Sequence, residues 1–188
     1  KMSLFNLKNK SILITGSSKG IGKSIAHQSA LMGAKVIISS RKLDVCEKTA
    51  DEINNDVGKK VAFPIACNIA DDDQLKDLVT KTIETIGGID SLICNAATNT
   101  FMGSMLDMSI EQFDKIMHNN IRSNQLLCNM CLPHMIEKKD GSIIIISSIA
   151  AIRGSAILGA YNISKAADVM IVKNIAAEFG HKNIRANS

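Results

Sequence analysis

SILITGSSKGIG, residues 11–22, decides the fold. Ser11 to Thr15 is a short apolar run with β-branched residues, helical spacing begins at Ile21, and Gly16, Gly20 and Gly22 punctuate the turn between them. Glycine allows a tight turn, close approach of the backbone to a pyrophosphate and close packing of helix on strand. The N–H groups at the start of a helix lack intrahelical partners and attract phosphate oxygens. A loose glycine pattern carries little weight alone. Here a strand precedes it and a helix follows it in the first such unit of the chain, which makes it a nucleotide-phosphate loop.

Working outward, residues 35–39, 61–66, 91–95, 142–147 and 184–186 are further short apolar runs and, with 11–15, read as buried parallel strands. The stretches between them have helical periodicity. Residues 21–32 form the first helix, and Leu75, Leu78, Val79, Thr82, Ile83 and Ile86 share one face of another, opened by Asp71 to Asp73 and closed near Gly87 and Gly88. Ser109 begins S-I-E-Q, a capping box, and that helix is expected to run to Met130 or beyond, with Pro133 disturbing its end. Alternating strands and helices predict an α/β fold, a doubly wound parallel sheet with helices on both faces. With no linker, repeat or low-complexity tract, residues 1–188 read as a single domain.

Composition narrows the function classes. Hydrophobic residues make up 46% and charged residues 21% of the 188, as in a globular chain with a sizeable core. The net charge of +4 is spread along the sequence and aromatics are 3%, so the basic stripe with interleaved aromatics of a nucleic-acid binder is missing. No apolar run approaches the roughly 18–20 residues of a membrane span. The opening KMSLFNLKNK has no signal-peptide stretch, and the natural start is expected at Met2. Cysteines at 46, 67, 94, 128 and 131 fall in apolar segments, which suits reduced thiols in a cytoplasmic protein.

The second strand ends at Ser39-Ser40, about 20 residues past the loop, where NAD sites place an acid for the ribose hydroxyls. Ser40 is followed instead by Arg41 and Lys42. Cations at a helix start oppose its dipole. Arg41, with Lys19 from the glycine loop, can clamp a 2′-phosphate, so the expected cofactor is NADP(H).

Tyr161 and Lys165 stand four apart in YNISK and share a helix face. That spacing is weak alone; it gains weight from Ser148 at the end of the fifth strand and Asn120 on the helix before it. A free phenol ionises near pH 10, too high for acid–base work near neutrality. A cation at about 4 Å contributes roughly 4 kcal/mol at an effective dielectric of about 20. At about 1.36 kcal/mol per pH unit, that brings a phenol to about pH 7.

These residues resemble the short-chain dehydrogenase/reductase family across nearly the whole chain. The resemblance rests on TGSSKGIG, CNAA after the fourth strand, HNNI, SSIAA after the fifth strand, YNISK and the closing NIRANS. It implies a Rossmann sheet and a hydride transfer between NADP(H) and a carbonyl or secondary alcohol. Tyr161 would be the proton donor or acceptor. Lys165 would lower its pKa and hold the nicotinamide ribose, Ser148 would hydrogen-bond the substrate oxygen, and Asn120 would hold a water linking Lys165 to solvent. The implied cofactor contacts are Gly16, Ser18, Lys19, Gly20, Ile21 and Gly22 in the loop. Ser40, Arg41, Asn68, Ile69, Asn95 and Ala96 follow at the ends of the next strands. CNAA replaces the usual NNAG, so Ala97 stands for Gly, and Asn68 stands where an Asp often meets the adenine. CNAA and SSRK together most resemble the NADPH-dependent carbonyl and retinal reductase branch and its bacterial relatives. The family continues past a point like Ser188 into a lid, small helices and a seventh strand, so the chain is expected to be incomplete at its C-terminus, which leaves a peroxisomal address open.

Other features carry less. Cys128 and Cys131 have redox spacing but lie inside the long helix, which points to core packing. A zinc site would need more ligands than His134 can add, so no metal is expected. His27, His118 and His181 read as isolated, and Lys138 to Gly141 as a charged turn. Arg153 lies in the loop between Ser148 and Tyr161, otherwise apolar through Ile149, Ala151, Ile152, Ile157 and Leu158; an apolar small-molecule ketone or aldehyde is the expected substrate. Two alternatives stand beside this reading. One is a 3-oxoacyl thioester reductase with Lys138, Lys139 and Lys173 as a docking patch, a case that Glu178 weakens. The other is a non-catalytic nucleotide-binding protein on the same fold. The helices at 109–135 and 161–179 carry Leu126, Leu127, Met130, Ala166, Ala167, Met170 and Ile171 beyond one stripe, so a homodimer or homotetramer is expected.

Overall fold

A computed structural model describes residues 5–188; the expected start at Met2 lies outside them. The elements are β1 (Ser11–Thr15), α1 (Gly20–Leu31), β2 (Lys35–Ser40), α2 (Leu43–Val57), β3 (Ala62–Ala66), α3 (Asp72–Ile86) and β4 (Ser91–Cys94). They continue with α4 (Ile110–Met117), a π-helical turn (His118–Arg122), α5 (Ser123–Lys138), β5 (Gly141–Ile145), α6 (Gly159–Phe179) and β6 (Ile184–Asn187). All strand pairs are parallel, in the order β3-β2-β1-β4-β5-β6. The chain therefore winds outward in one direction from β1 and then in the other from β4. A crevice forms at such a reversal, at the C-terminal edge of the strands.

Successive side chains of the strands feed opposite faces of the sheet. Leu13, Ile37, Leu92 and Ile143 pack with α3, α5 and α6 through Leu75, Leu127 and Val172. Ile12, Ile14, Val36, Ile38 and Ile93 pack on the other face with Ala26, Ala50 and Ile53 of α1 and α2. The expected helical face of α3 is buried at Leu75, Leu78, Val79, Thr82 and Ile86. Asp71 caps that helix by accepting from Asp73 N and Gln74 N, and Gly87 ends it in the left-handed conformation at φ 84°. Ser109 and Gln112 form the expected capping box at α4.

The long helix is not one helix. A π turn separates α4 from α5, and Pro133 sits inside α5, which runs on to Lys138. Side chains meet the displaced carbonyls: Ser123 Oγ donates to Asn119 O and Asn124 Nδ2 to Asn120 O at 2.7 Å. The fifth strand stops at Ile145, short of the expected 147. Its neighbour β4 ends at Cys94, because Asn95 turns to bond the end of β1, so little remains for the later residues to pair with.

Candidate active site

The C-terminal ends of β1, β4 and β5 bring the sequence-singled residues to one edge of the sheet. Thr15 is the hub of the glycine loop. Its Oγ1 accepts from the backbone N–H of Asn95 and of Ala96, both at 3.1 Å. Asn95 Nδ2 donates to Thr15 O and Gly16 O, both at 3.0 Å. Ser17 Oγ donates to Ile14 O at 2.7 Å and accepts from Ser39 N at 2.8 Å. Asn95 and Ala96 thus brace the loop, with both amide hydrogens of the Asn95 side chain committed to it.

This loop fits a dinucleotide pyrophosphate. A Cβ on Gly22 would meet Asn95 Nδ2 and Gly16 O at 2.5 Å, so only glycine lets α1 pack this closely. Gly16 and Gly20 hold φ of 64° and 57°, and the space beside Gly20 is open. No side chain caps α1 and its first turn holds no acid, which leaves its N–H groups to an anion. Ser18 and Ile21 lie on this turn, with Ile21 exposed. Lys19 and Arg41 are exposed, and neither side chain has an ion-pair partner among the described residues. Ser40 Oγ lies 3.1 Å from Cys46 Sγ. Asn68 is exposed in the turn into α3, its N–H bonded to Gln74 Oε1 at 2.8 Å, and Ile69 is packed partly into the core.

Tyr161 and Lys165 lie on α6 one turn apart, Tyr161 half-buried and Lys165 only 2% exposed. Lys165 Nζ stands 5.7 Å from the centroid of the Tyr161 ring. It donates to Ile146 O at 2.9 Å and to Asp168 Oδ2 at 2.9 Å. Ser148 Oγ accepts from Ala150 N at 3.1 Å, which leaves its own hydrogen free. The Tyr161 hydroxyl has no hydrogen-bond partner among the described residues.

Asn120 is fully buried on the π turn, whereas Asn119 is half-buried. Its Oδ1 accepts from Thr98 N at 2.8 Å, and its Nδ2 donates to Thr98 O at 2.8 Å and Ser164 Oγ at 3.0 Å. Ser164 Oγ donates on to Tyr161 O at 2.8 Å. Asn120 thus ties the β4 loop to α6 through its side chain. Sequence reasoning missed Ser164, Asn124 and Asp168. One signal pointed to the last: a lone carboxylate at i+3 from Lys165 in the apolar run AADVMIV.

Two loops frame the mouth. Met102, Met105 and Leu106 come from the β4–α4 connection and Ile149, Ile152 and Ile157 from the β5–α6 connection, all exposed. Gly103 N donates to Ile157 O at 3.0 Å and joins them. Arg153 is exposed and its carbonyl accepts from Asn162 Nδ2.

Several expectations change elsewhere. His27 is not isolated but paired with Asp56, and His118 meets Ala70 O. Lys138 pairs with the buried Asp90, and Lys138 and Lys139 stand at the N-terminal end of β5, the sheet edge opposite the site. All five cysteines are free and buried, as their setting predicted. Leu127 and Ile171 belong to the core, whereas Leu126 and Met130 are only partly covered and Met170 is 53% exposed. No group of side chains among the described residues is set to hold a metal, and no described helix is long and apolar enough to cross a membrane.

Comparison with known proteins matches this geometry. Residues 10–188 match the profile described as short chain dehydrogenase. The chain is 36% identical over 181 residues to dehydrogenase/reductase SDR family member 4 of Sus scrofa and 39% identical to dehydrogenase/reductase SDR family member 2, mitochondrial, of Homo sapiens. Each alignment covers 96% of this chain and 64% of the relative, so the chain spans under two thirds of these relatives' length. Among solved structures, a short-chain type dehydrogenase/reductase from Mycobacterium marinum superposes with a TM-score of 0.91 at 36% identity, covering 98% of this chain and 75% of that one. A 7 alpha-hydroxysteroid dehydrogenase complexed with NADH and 7-oxo glycochenodeoxycholic acid gives 0.90 at 33% identity, covering 96% and 69%.

Proposed function

Because the chain belongs to the short-chain dehydrogenase family, we propose that it is an NADP(H)-dependent reductase of apolar ketones or aldehydes, reversible toward secondary alcohols. The observation that carries this reading is the buried Lys165 ammonium one helical turn from Tyr161, with two of its three N–H donors used on Ile146 O and Asp168. The third remains for a ligand hydroxyl. A bound nicotinamide cofactor would supply or accept the hydride. Ser148 would donate its free hydrogen to the substrate oxygen, and Tyr161 would pass its proton to that oxygen as the carbonyl is reduced, with Lys165 favouring the phenolate that results. Asn120 holds Ser164 and, through it, the start of α6 in register with the β4 loop.

Lys19 and Arg41 support NADP(H) because they are exposed cations without ion-pair partners among the described residues, set beside the phosphate loop. The apolar mouth supports an apolar substrate, and the steroid dehydrogenase of the same fold holds a ketone on a ring system. That neighbour is complexed with NADH, so support for NADP(H) comes from Lys19 and Arg41 of this chain and not from the shared fold. A thioester reductase is less favoured, since Lys138 and Lys139 of its docking patch stand at the sheet edge opposite the site and Lys138 is paired with Asp90. The exposed side of α5 and α6 at Leu126, Met130 and Met170 favours a homodimer or homotetramer.

The test is a panel of ketones and aldehydes of increasing apolar area, run with NADPH and with NADH. NADPH turnover rising with apolar area is expected. Arg41→Ala should lose about tenfold or more in NADPH efficiency, the scale of one charge-assisted hydrogen bond, with NADH efficiency held. A wild-type preference for NADH, or turnover confined to small sugars, defeats the reading.

A further inference from the structure

The buried stretch of α6 carries a carboxylate that the chemistry above leaves unused. Asp168 is fully buried. Its Oδ2 accepts from Lys165 Nζ at 2.9 Å and its Oδ1 from Asn124 Nδ2 at 3.0 Å. The Asn124 amide also donates to Asn120 O at 2.7 Å, which links the carboxylate to the π turn. A buried carboxylate is retained only when so paired, and this one is pinned at both oxygens. Desolvation pushes the Asp168 carboxyl above its ordinary value, against the pull of Lys165 and the Asn124 amide.

The other titratable groups around it come from three elements. Tyr161 and Lys165 share α6; Cys94 lies on β4, and Cys128 and Cys131 on α5. The Cys128 contact and burial push the Cys94 thiol up, and burial does the same to Cys131, so both are neutral. Among the described residues, Asp168 is therefore the one charged group in contact with Lys165. An ammonium alone presents a full charge to a neighbouring phenol. Joined to a carboxylate it presents a dipole, and its attraction for a phenolate falls off faster.

We propose that Asp168 is a positioning residue for Lys165: it fixes the ammonium against Ile146 O, and its counter-charge weakens the hold of Lys165 on the Tyr161 phenolate. Proton transfer then runs in a more alkaline range than Lys165 alone would set. The inference rests on Tyr161 as the proton-transferring group.

Tyr161 is the sole tyrosine of this sequence, which has no tryptophan. The ultraviolet absorbance of its phenolate is isolated as the difference between the protein and its Tyr161→Phe variant, which cancels any other chromophore, with neither substrate nor cofactor. Asp168→Asn keeps the shape and removes the charge. The expected result is an absorbance rise displaced to lower pH by about one unit or more, the scale of a single neighbouring charge. The pH profile of 2-octanol oxidation with NADP should move the same way. A purely structural role would lower the melting temperature and the rate at every pH and leave the absorbance midpoint in place; an unmoved midpoint overturns the proposal. Should Asp168→Asn fail to fold, Asp168→Leu carries the same expectation in its apolar surroundings. If Tyr161→Phe keeps its turnover, the assignment of Tyr161 falls, while the absorbance curves still report on Asp168.

Discussion

Asn120 and Ser164 are joined across two elements: the Asn120 amide on the π turn donates to the Ser164 hydroxyl on α6 at 3.0 Å, and both groups are fully buried. Ser164→Ala removes the acceptor and the bond onward to Tyr161 O. A loss of about 1–2 kcal/mol in stability is expected, the scale of a buried polar group left unpaired. Turnover should fall by more than the melting curve accounts for, because the tyrosine's own turn is loosened. Unchanged turnover in a folded Ser164→Ala protein would separate this bond from the site.

Gly22 has no room for a methyl group. A Cβ would lie 2.5 Å from both Gly16 O and Asn95 Nδ2. Gly22→Ala must move α1 or the loop and should cost about 1–3 kcal/mol, the range for overpacking. NADPH affinity, read by fluorescence titration, should fall with it. Gly58→Ala serves as a control for backbone strain alone, since nothing stands within 4 Å of its Cβ although its φ is 74°. Equal NADPH affinity in Gly22→Ala and wild type would sink the argument.

At the opposite edge of the sheet, Asp140 bonds Lys10 and Arg185, each at 2.9 Å. The hydrogen bond from Lys10 holds the Asp140 carboxyl below its ordinary value, against partial burial, with Arg185 adding to the effect. The bond to Asp140 raises Lys10 in turn. A lowered carboxyl contributes stability that is complete above its unfolded value and lost as pH falls through the folded one. A raised ammonium contributes stability that is complete below its unfolded value and lost as pH rises through the folded one. The pair therefore acts between those limits, and solvent screening keeps the contribution small. Asp140→Asn should flatten the acid limb of urea stability measured across pH; an acid limb identical to wild type would show the pair to be inert.

All five thiols should resist alkylation in the native protein at neutral pH. Burial pushes the Cys67 thiol up to about 11, and Cys94 and Cys131 are raised as well. Reaction needs the thiolate and access, and the folded chain limits both. A thiol-reactive dye should label fully in urea and slowly without it. Fast labelling of the native protein would mean that the core opens readily.

Most of the sheet was legible because a buried parallel strand leaves a compact apolar run, and β1 appears at its expected bounds. The end of β5 was not, because a strand stops where its partners stop, and β4 is cut short by a hydrogen bond from Asn95 that no periodicity encodes. The π turn was hidden for a related reason. Side-chain spacing reports on a helix face, whereas a wide turn is stabilised by Ser123 and Asn124 reaching back to carbonyls. Tyr161 and Lys165 were visible as a spaced pair. Asp168 was passed over because its one signal, a lone acid three residues past Lys165 in an apolar run, names no partner; its meaning comes from what it touches.

The reversal of strand order between β1 and β4 also divides labour along the chain. Every residue proposed for the phosphates and the adenosine end, apart from Asn95 and Ala96, precedes β4, and every residue proposed for the reacting carbonyl follows it. The seam is spanned by Thr15, Gly16, Asn95 and Ala96. On the proposed assignment, the turn after β2 can be rewritten for another dinucleotide while the carbonyl stays the same, and the mouth can be recut for another carbonyl while the dinucleotide stays the same. The two specificities are separately evolvable, provided those four residues keep the halves in step.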